Sequence, residues 1–533
     1  MSERCWTGLP LALLLILGPG CKAERLERGN GIVVAAITTD PGQLNTAITT
    51  NGSVHNAGSL LYDGLVALDE DVRPQPALAE RWEVENGGAL YRFHLRRGVR
   101  WHDGKPFSSA DVKFTFEELL LKFHSRARAS LAPALLRIDT PDDYTVEFRF
   151  RRPYAPLLRQ LDVEEGPIMP RHLFAGTDAL RNPVNVAPVG TGPYRFVSYS
   201  AGNEIRYAAN EQYFRGAPAV REVVLRIIPN PGIQVLALEN GEVDWLYGVP
   251  GPERGRVKGN PRFGLIQTRG VSGSSNCVTT VGFNLDKPFF RDVRFRRAVA
   301  QAVDTRQFLE RVLFGEGAAA TAPISSGISF AHAAGIRMPP LDTVASARAL
   351  ESLGWRRTNN GVRVSNGVSG VPDGTPLVVR FSVMPGQAAY GDLLRAQLRT
   401  VGIDLRVAVL EPALFAHTIF TTRDFDTAIV AYCNGTDPEI GVRRQYVSSS
   451  IGPVPFSNLA AYRNPVVDSL FDEAGSSLDV AERQRIYREI QEIAVRDQPY
   501  IWLVETLNTR VYNVRCSGFN ASSHFVATAK CAE

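Results

Sequence analysis

Short apolar runs alternate with helical periodicity from Gly31 onward. Ile32 to Ile37 is a continuous β-branched and alanine run, the pattern of a buried strand. Tyr91 to Leu95 and Tyr144 to Phe150 alternate apolar with polar positions, the period-two sign of half-exposed strands. Ser109-Ala110-Asp111 opens a helix that places Val112, Phe116, Leu119 and Leu120 inward. Phe295 to Phe314 reads as one long amphipathic helix ended by Gly315. Leu393 to Val401 reads as another, stopped by Gly402, and Ile403, Leu405, Val407 and Val409 then alternate as a strand. Ala481 to Val495 is helical, and Pro499 to Val504 follows as an apolar strand. Asn359 to Gly374, rich in Gly, Asn and Ser, reads as an exposed loop. Helix and strand alternating in this way predict an α/β protein with layered sheets.

At 533 residues the chain exceeds what one core can serve. Hydrophobic residues at 44% and charged residues at 21% exclude a disordered chain and a multi-span membrane protein. A net charge of +4 is weak over this length, and the densest basic clusters, Arg149 to Arg152 and Arg294 to Arg297, are short and broken by apolar residues. They predict solvated surface and no nucleic-acid partner.

Leu9 to Leu17 is apolar, too short for a span but the length of a signal-peptide core. Gly18-Pro19-Gly20 breaks it and Cys21 follows, in the manner of a bacterial lipoprotein site whose Cys becomes the acylated N-terminus. Gly18 stands where such sites carry Leu, so an ordinary cleaved signal ending near Ala23 is the alternative. Either reading predicts export. Of six cysteines, Cys5 and Cys21 belong to the export segment. Cys277, Cys433, Cys516 and Cys531 remain, and three pairings are open, with four buried free thiols as the alternative. Cys516 and Cys531 are near neighbours whose loop is worth about 3 kcal/mol in the chain-entropy model, which leaves Cys277 with Cys433.

No enzyme pattern is present: neither GxSxG, HExxH, GxxxxGK[ST] nor a GxGxxG after a strand. His102-Asp103 looks catalytic in isolation, but Asp103-Gly104-Lys105-Pro106 is better read as a tight turn. His55 could face a cleft. The eight His residues are dispersed and give no metal site, and no cofactor is implied.

Four segments in order resemble a known family. They are Leu60-Leu61-Tyr62-Asp63-Gly64-Leu65-Val66 with Pro76 to Trp82; Leu95 to Phe107, including Trp101-His102-Asp103-Gly104-Lys105-Pro106, with Ala110-Asp111-Val112; Val189-Gly190-Thr191-Gly192-Pro193-Tyr194 with Asn210 to Phe214 and Gly241 to Asp244; and Phe283-Asn284-Leu285 leading into Asp292 to Val299 and Ala302-Val303-Asp304. Together they resemble the family 5 extracellular solute-binding proteins of bacterial ABC transporters, the dipeptide-, oligopeptide- and nickel-binding type. The resemblance implies a two-lobed periplasmic-binding-protein-like α/β fold with three domains and a hinge. It places domain I at 30–62, 190–276 and 505–533, domain II at 63–189, and domain III, the second lobe, at 277–504. It also implies a monomer that is not an enzyme, lies in the periplasm or at the cell surface, and hands a small-molecule or peptide ligand to an inner-membrane permease; acylation at Cys21 would add a lipid tether. An orphan sensor or chaperone-like lipoprotein of the same fold is the alternative, and an exported hydrolase a more distant one.

Peptide binders of this type carry an Asp shortly before an Asp-Pro or Glu-Pro, which pairs with the peptide α-ammonium. The matching segment, Tyr432-Cys433-Asn434-Gly435-Thr436-Asp437-Pro438, is one residue short and puts Asn434 or Gly435 at that position. An Arg after Met-Pro is also missing from Met384-Pro385-Gly386-Gln387-Ala388-Ala389-Tyr390. The expected cleft lining is Tyr432, Asn434, Asp437, Met384, Gln387 and Tyr390, with His55 from the Thr49 to His55 stretch. Alternatively, Tyr432 is core, and Asn434 and Asp437 only turn the chain. Relatives that link a pocket-segment Cys to one at the domain crossover favour Cys277 with Cys433.

Overall fold

The computed structural model describes residues 31–69, 72–249, 251–268 and 276–532. Leu9 to Leu17 and Cys21 lie outside the described residues, so the export and lipidation readings have no structural counterpart. The architecture is mixed α/β in two lobes. In the first, a seven-stranded sheet has the strand order 263–268, 508–513, 245–246, 32–37, 222–227, 204–209, 194–200. Ile32–Ile37 lies inside this sheet between two parallel neighbours, which explains its continuous apolar run. A four-stranded sheet from 79–85, 90–95, 145–150 and 135–142 packs into the same core. Phe93, Phe148, Tyr194 and Trp245 belong to that one cluster.

The second lobe holds a six-stranded sheet in the order 318–319, 500–505, 277–283, 427–433, 378–383, 404–409. Thr427–Cys433 alternates its side chains between two cores. Ala428, Val430 and Tyr432 enter one, and Ile429 enters the other with Phe381 and Tyr390.

The chain passes between the sheets twice, and the strands that flank the two passages pair with one another in each sheet. Phe263–Thr268 pairs antiparallel with Asn508–Asn513 on the first side, and Cys277–Phe283 with Tyr500–Glu505 on the second. Cys277 is disulfide-bonded to Cys433, beside this crossing, and Cys516 to Cys531. The Thr506 N–H donates to Cys277 O at 3.0 Å, fixing the return strand at the same point.

Two elements depart from the sequence expectation. The helix expected over Phe295 to Phe314 is two helices, Val293–Gln301 and Thr305–Arg311. Asp304 starts the second by accepting the Arg306 N–H at 3.1 Å. The expected loop 359–374 contains a short strand, Arg363–Ser365, paired with Trp355–Arg357. Arg363 is buried there and reaches the Trp355 and Val401 carbonyls at 2.6 and 2.7 Å.

Asp103 to Pro106 is a turn: Gly104 has φ +85°, and Asp103 accepts the Lys105 N–H at 3.1 Å. His102 is structural. Its ring accepts the Gly190 N–H at Nδ1 and donates from Nε2 to Gly192 O at 3.0 Å, and burial pushes it down to about 4. Gly190 and Gly192 are required by close approach. A Cβ on Gly190 would lie 1.7 Å from Leu61 O, and one on Gly192 2.5 Å from the Leu61 carbonyl carbon. Gly190→Ala should therefore cost at least about 2 kcal/mol by overpacking against backbone that cannot move aside. Denaturant titration measures it, and an unchanged midpoint would show that Leu61 yields. Cys516→Ser with Cys531→Ser should cost about 3 kcal/mol in the same assay under oxidising conditions.

Candidate functional site

The two lobes meet along a seam built from helix Ser125–Ala134 and the Arg152 and Arg159 side chains of the first lobe and the segment that follows Thr427–Cys433. Helices Pro438–Gly441 and Arg443–Tyr446 pack against helix Ser125–Ala134. Pro438 can open its short helix because the first N–H is unneeded, and Asp437 caps it, accepting the Glu439 N–H at 3.1 Å.

Asp437 is fully buried. Its Oδ1 receives Arg483 at 2.7 Å from its own lobe, and its Oδ2 receives Arg159 at 3.1 Å from the other. Both guanidiniums also lie over the Phe330 ring, at 4.7 Å for Arg159 and 5.3 Å for Arg483. Burial alone would raise this carboxyl, but Arg483 and Arg159 overcome it and hold it below the ordinary range. A second bridge runs in parallel. Asp472 takes Arg152 from the first lobe at 2.5 Å and Arg443 from the second at 2.7 Å. Arg443 also reaches Glu439 at 3.3 Å. Glu439 is buried beside Asp437, and burial pushes it up to about 7.

On the first lobe, His55 lies against Glu164, Nδ1 to Oε2 at 3.3 Å, with Nε2 2.8 Å from Thr49 O. Arg126 pairs with Glu165 at 2.9 Å. His124 stands 6.2 Å from His55 between ring centres, and burial holds it neutral. Arg444 faces this group from the second lobe. It is buried, donates from Nε to Gly441 O at 3.2 Å, and is pushed down to about 10 by burial and by Arg126.

Two cavities open along the seam. One of about 340 Å³ lies where strands Ile32–Ile37 and Trp245–Leu246 end, lined by Thr38, Ser53, Asn56, Tyr247 and Thr509, with Glu316 from the opposite lobe. Ligands of α/β folds gather at such strand ends. Arg254 and Glu316 form an ion pair across its edge. The other, of about 260 Å³, lies between Ser125 to Ala129 and Arg444 to Ser457.

The expected lining residues divide. Asp437 reaches the seam, but as an ion-paired bridge. His55 is buried behind it. Tyr432 is core, fully buried, with its hydroxyl donating to Ser457 O at 2.8 Å. Tyr390 belongs to the opposite core and stacks on Phe308 at 5.9 Å. Asn434 braces the chain, accepting the Ser325 N–H at 2.8 Å. Gln387 folds back on the Met384 N–H, and half-buried Met384 packs on the Tyr432 core. Arg159, Arg483, Glu164, Arg126 and Arg444 were not foreseen, because an isolated Arg or Glu carries no periodic signal and their partners lie far along the chain.

The family model of the bacterial extracellular solute-binding proteins, family 5, matches residues 73–452. Oligopeptide-binding protein AppA of Bacillus subtilis is 26% identical over 492 residues, covering 90% of this chain and 87% of its own. Heme-binding protein A of Haemophilus influenzae is 25% identical over 521 residues, covering 93% and 91%. Among solved structures, NikZ of Campylobacter jejuni in complex with Ni(L-His) superposes with a TM-score of 0.81 at 22% identity, covering 94% of this chain and 100% of that one.

Truncating Arg159 should loosen the seam without unfolding either lobe. Removing one partner of a buried pair costs about 3–5 kcal/mol, but Asp437 keeps Arg483 and Arg159 is partly exposed, so on the order of 1 kcal/mol is expected. Small-angle scattering of Arg159→Ala should report a larger radius of gyration; an unchanged profile would show that the bridge does not hold the lobes. The sign with pH follows from the depressed carboxyl. The contribution of Asp437 is complete above its ordinary 3.8 and is lost as pH falls through its lower folded value. Acid expansion should therefore begin below that range and be absent in Asp437→Asn.

Proposed function

The chain belongs to the bacterial extracellular solute-binding proteins of family 5, and from that premise we propose that it captures a peptide-like or other small polar solute between its lobes and presents it to the permease of an ABC importer. The family is one of substrate-binding transport proteins acting outside the cytoplasm, and not of enzymes. Solute contacts from both lobes favour the closed state, and the permease responds to that state. The observation that carries the reading is the seam itself. Charged bridges from Arg159 and Arg152 to Asp437 and Asp472 join the lobes, and both lobes line the cavities along the same seam.

Domain I is proposed at 30–62, 190–276 and 505–533, domain II at 63–189 and domain III at 277–504. The memberships of the three larger sheets support that division. Export, acylation at Cys21, periplasmic or surface location and a monomeric state complete the proposal. Mass spectrometry of the mature N-terminus tests acylation.

Relatives are named for an oligopeptide and for heme, so the fold does not select the solute. The residues limit it. Asn434 and Asp437 are both occupied, which leaves no carboxylate of that segment for an α-ammonium. An ammonium buried there unpaired would cost several kcal/mol. Free dipeptides should close the lobes poorly, and N-acetylation should not weaken them further. Titration calorimetry with parallel scattering tests this; closure by ordinary dipeptides that is lost on acetylation would place an anchoring carboxylate in the cleft.

A further inference from the structure

A third cavity, of about 220 Å³, lies away from the seam cavities, beneath the loop that the Cys516–Cys531 bond closes. Its walls are the chain near Asp63 to Leu68, Asp162 and Val163, Tyr213 to Gly216, and loop residues Asn520 to Thr528. It has room for a molecule of about seven water volumes. The polar groups of this wall divide by what they still lack. Asp63 is satisfied, accepting Thr191 at 2.9 Å and the Tyr213 hydroxyl at 2.7 Å. The loop hydroxyls have spent their protons: Ser522 donates to Asn520, Ser523 to Glu164, and Thr528 to Gly518 O.

Two acceptors remain. Asp162 is only 5% exposed, and among the described residues its carboxyl takes a single bond, from the Glu165 N–H at 3.1 Å. His524 Nε2 lies 2.9 Å from both Ser59 O and Tyr62 O, so it carries the hydrogen and leaves Nδ1 as a bare acceptor. Burial and the adjacent Glu165 and Glu164 carboxylates push Asp162 well up, outweighing the opposing pull of Arg126, which is paired with Glu165. At the exposed rim stands Arg215, next to the Tyr213 hydroxyl. The inner end thus presents a carboxyl that a bound cation would ionise, together with the His524 Nδ1 acceptor, and the rim offers a donor.

We propose that this cavity is a second ligand site, which takes a small primary ammonium compound with its cationic end between Asp162 and His524 and a polar or anionic tail toward Arg215. The ammonium supplies donors to the second carboxyl oxygen of Asp162 and to His524 Nδ1, and its charge offsets the carboxylate that forms. The site stands apart from the solute cleft but shares a wall with it. Ser523, on the loop, bonds Glu164, whose other oxygen faces His55.

The test uses the full mature chain and three probes: glycinamide, glycine and N-acetylglycinamide. Titration calorimetry should show glycinamide and glycine binding one per chain, and N-acetylglycinamide not binding. Asp162→Asn keeps the bond from Glu165 and should weaken both amines at least about tenfold. Arg215→Gln should weaken glycine more than glycinamide. Ala527→Leu fills the cavity from the loop without removing a polar group and should abolish both; it answers the question if Asp162→Asn fails to fold. Arg159→Ala, which loosens the seam, should leave amine binding unchanged, so failure here and failure of the cleft reading are separable. Equal binding of the acetylated probe, or amine binding undiminished in Asp162→Asn and Ala527→Leu, would overturn the proposal.

Discussion

A carboxylate taken out of water loses several kcal/mol of solvation unless cations replace it. Asp437 receives one cation from each lobe, and the contribution from the far lobe exists only when the lobes meet. The short helix it caps, the packing of Pro438–Gly441 on Ser125–Ala134 and the approach of both guanidiniums to the Phe330 ring all gather around that carboxylate. The parallel bridge through Asp472 is more exposed and is screened by solvent, so it adds alignment more than energy.

The same arrangement explains why the solute is not written in the seam segment. A residue that holds the lobes together cannot also hold the solute. Asn434 is spent on Ser325 and Asp437 on two arginines, while the strand ends around Thr38, Ser53, Asn56 and Tyr247 line a cavity of their own. The charged group behind them is crowded with buried titratable side chains: His55, Glu164, Glu165, Arg126 and, from the other lobe, Arg444. Its carboxylates are held by ion pairs, Glu164 with His55 and Glu165 with Arg126, while among the described residues the neighbouring His124 leaves its buried Nε2 without a hydrogen bond. Such groups are costly to maintain and cluster where a protein must recognise something.

Much of the scaffold could be read from the residues. The run Ile32 to Ile37, the alternation from Ile403 to Val409 and the Asp103-Gly104 turn all appear where local pattern put them, because each depends on neighbours in sequence. The break at Asp304 was also legible in principle. An Asp followed by Thr is a helix-start signal, but apolar spacing on both sides hid it. Tyr432 and Tyr390 were misplaced for a different reason. An aromatic at the end of a strand has the same pattern whether it faces a cleft or a core, and only the opposing layer decides. The bridges were illegible, since Arg159 and Asp437 are 278 positions apart and neither sits in a distinctive motif.

The paired crossings at Phe263–Thr268 with Asn508–Asn513 and at Cys277–Phe283 with Tyr500–Glu505 act as two straps fastened side by side. Paired strands at both ends of a crossing oppose twist and sliding more than bending, because twist would break the ladders on both sides. When bending dominates, the cross-lobe contacts form and part together. A solute that props the lobes open by a few degrees does not merely fit worse; it keeps Arg159 from Asp437 and Arg152 from Asp472 at once. The seam then acts as a gauge of solute thickness, independent of whatever chemistry the cavity walls recognise.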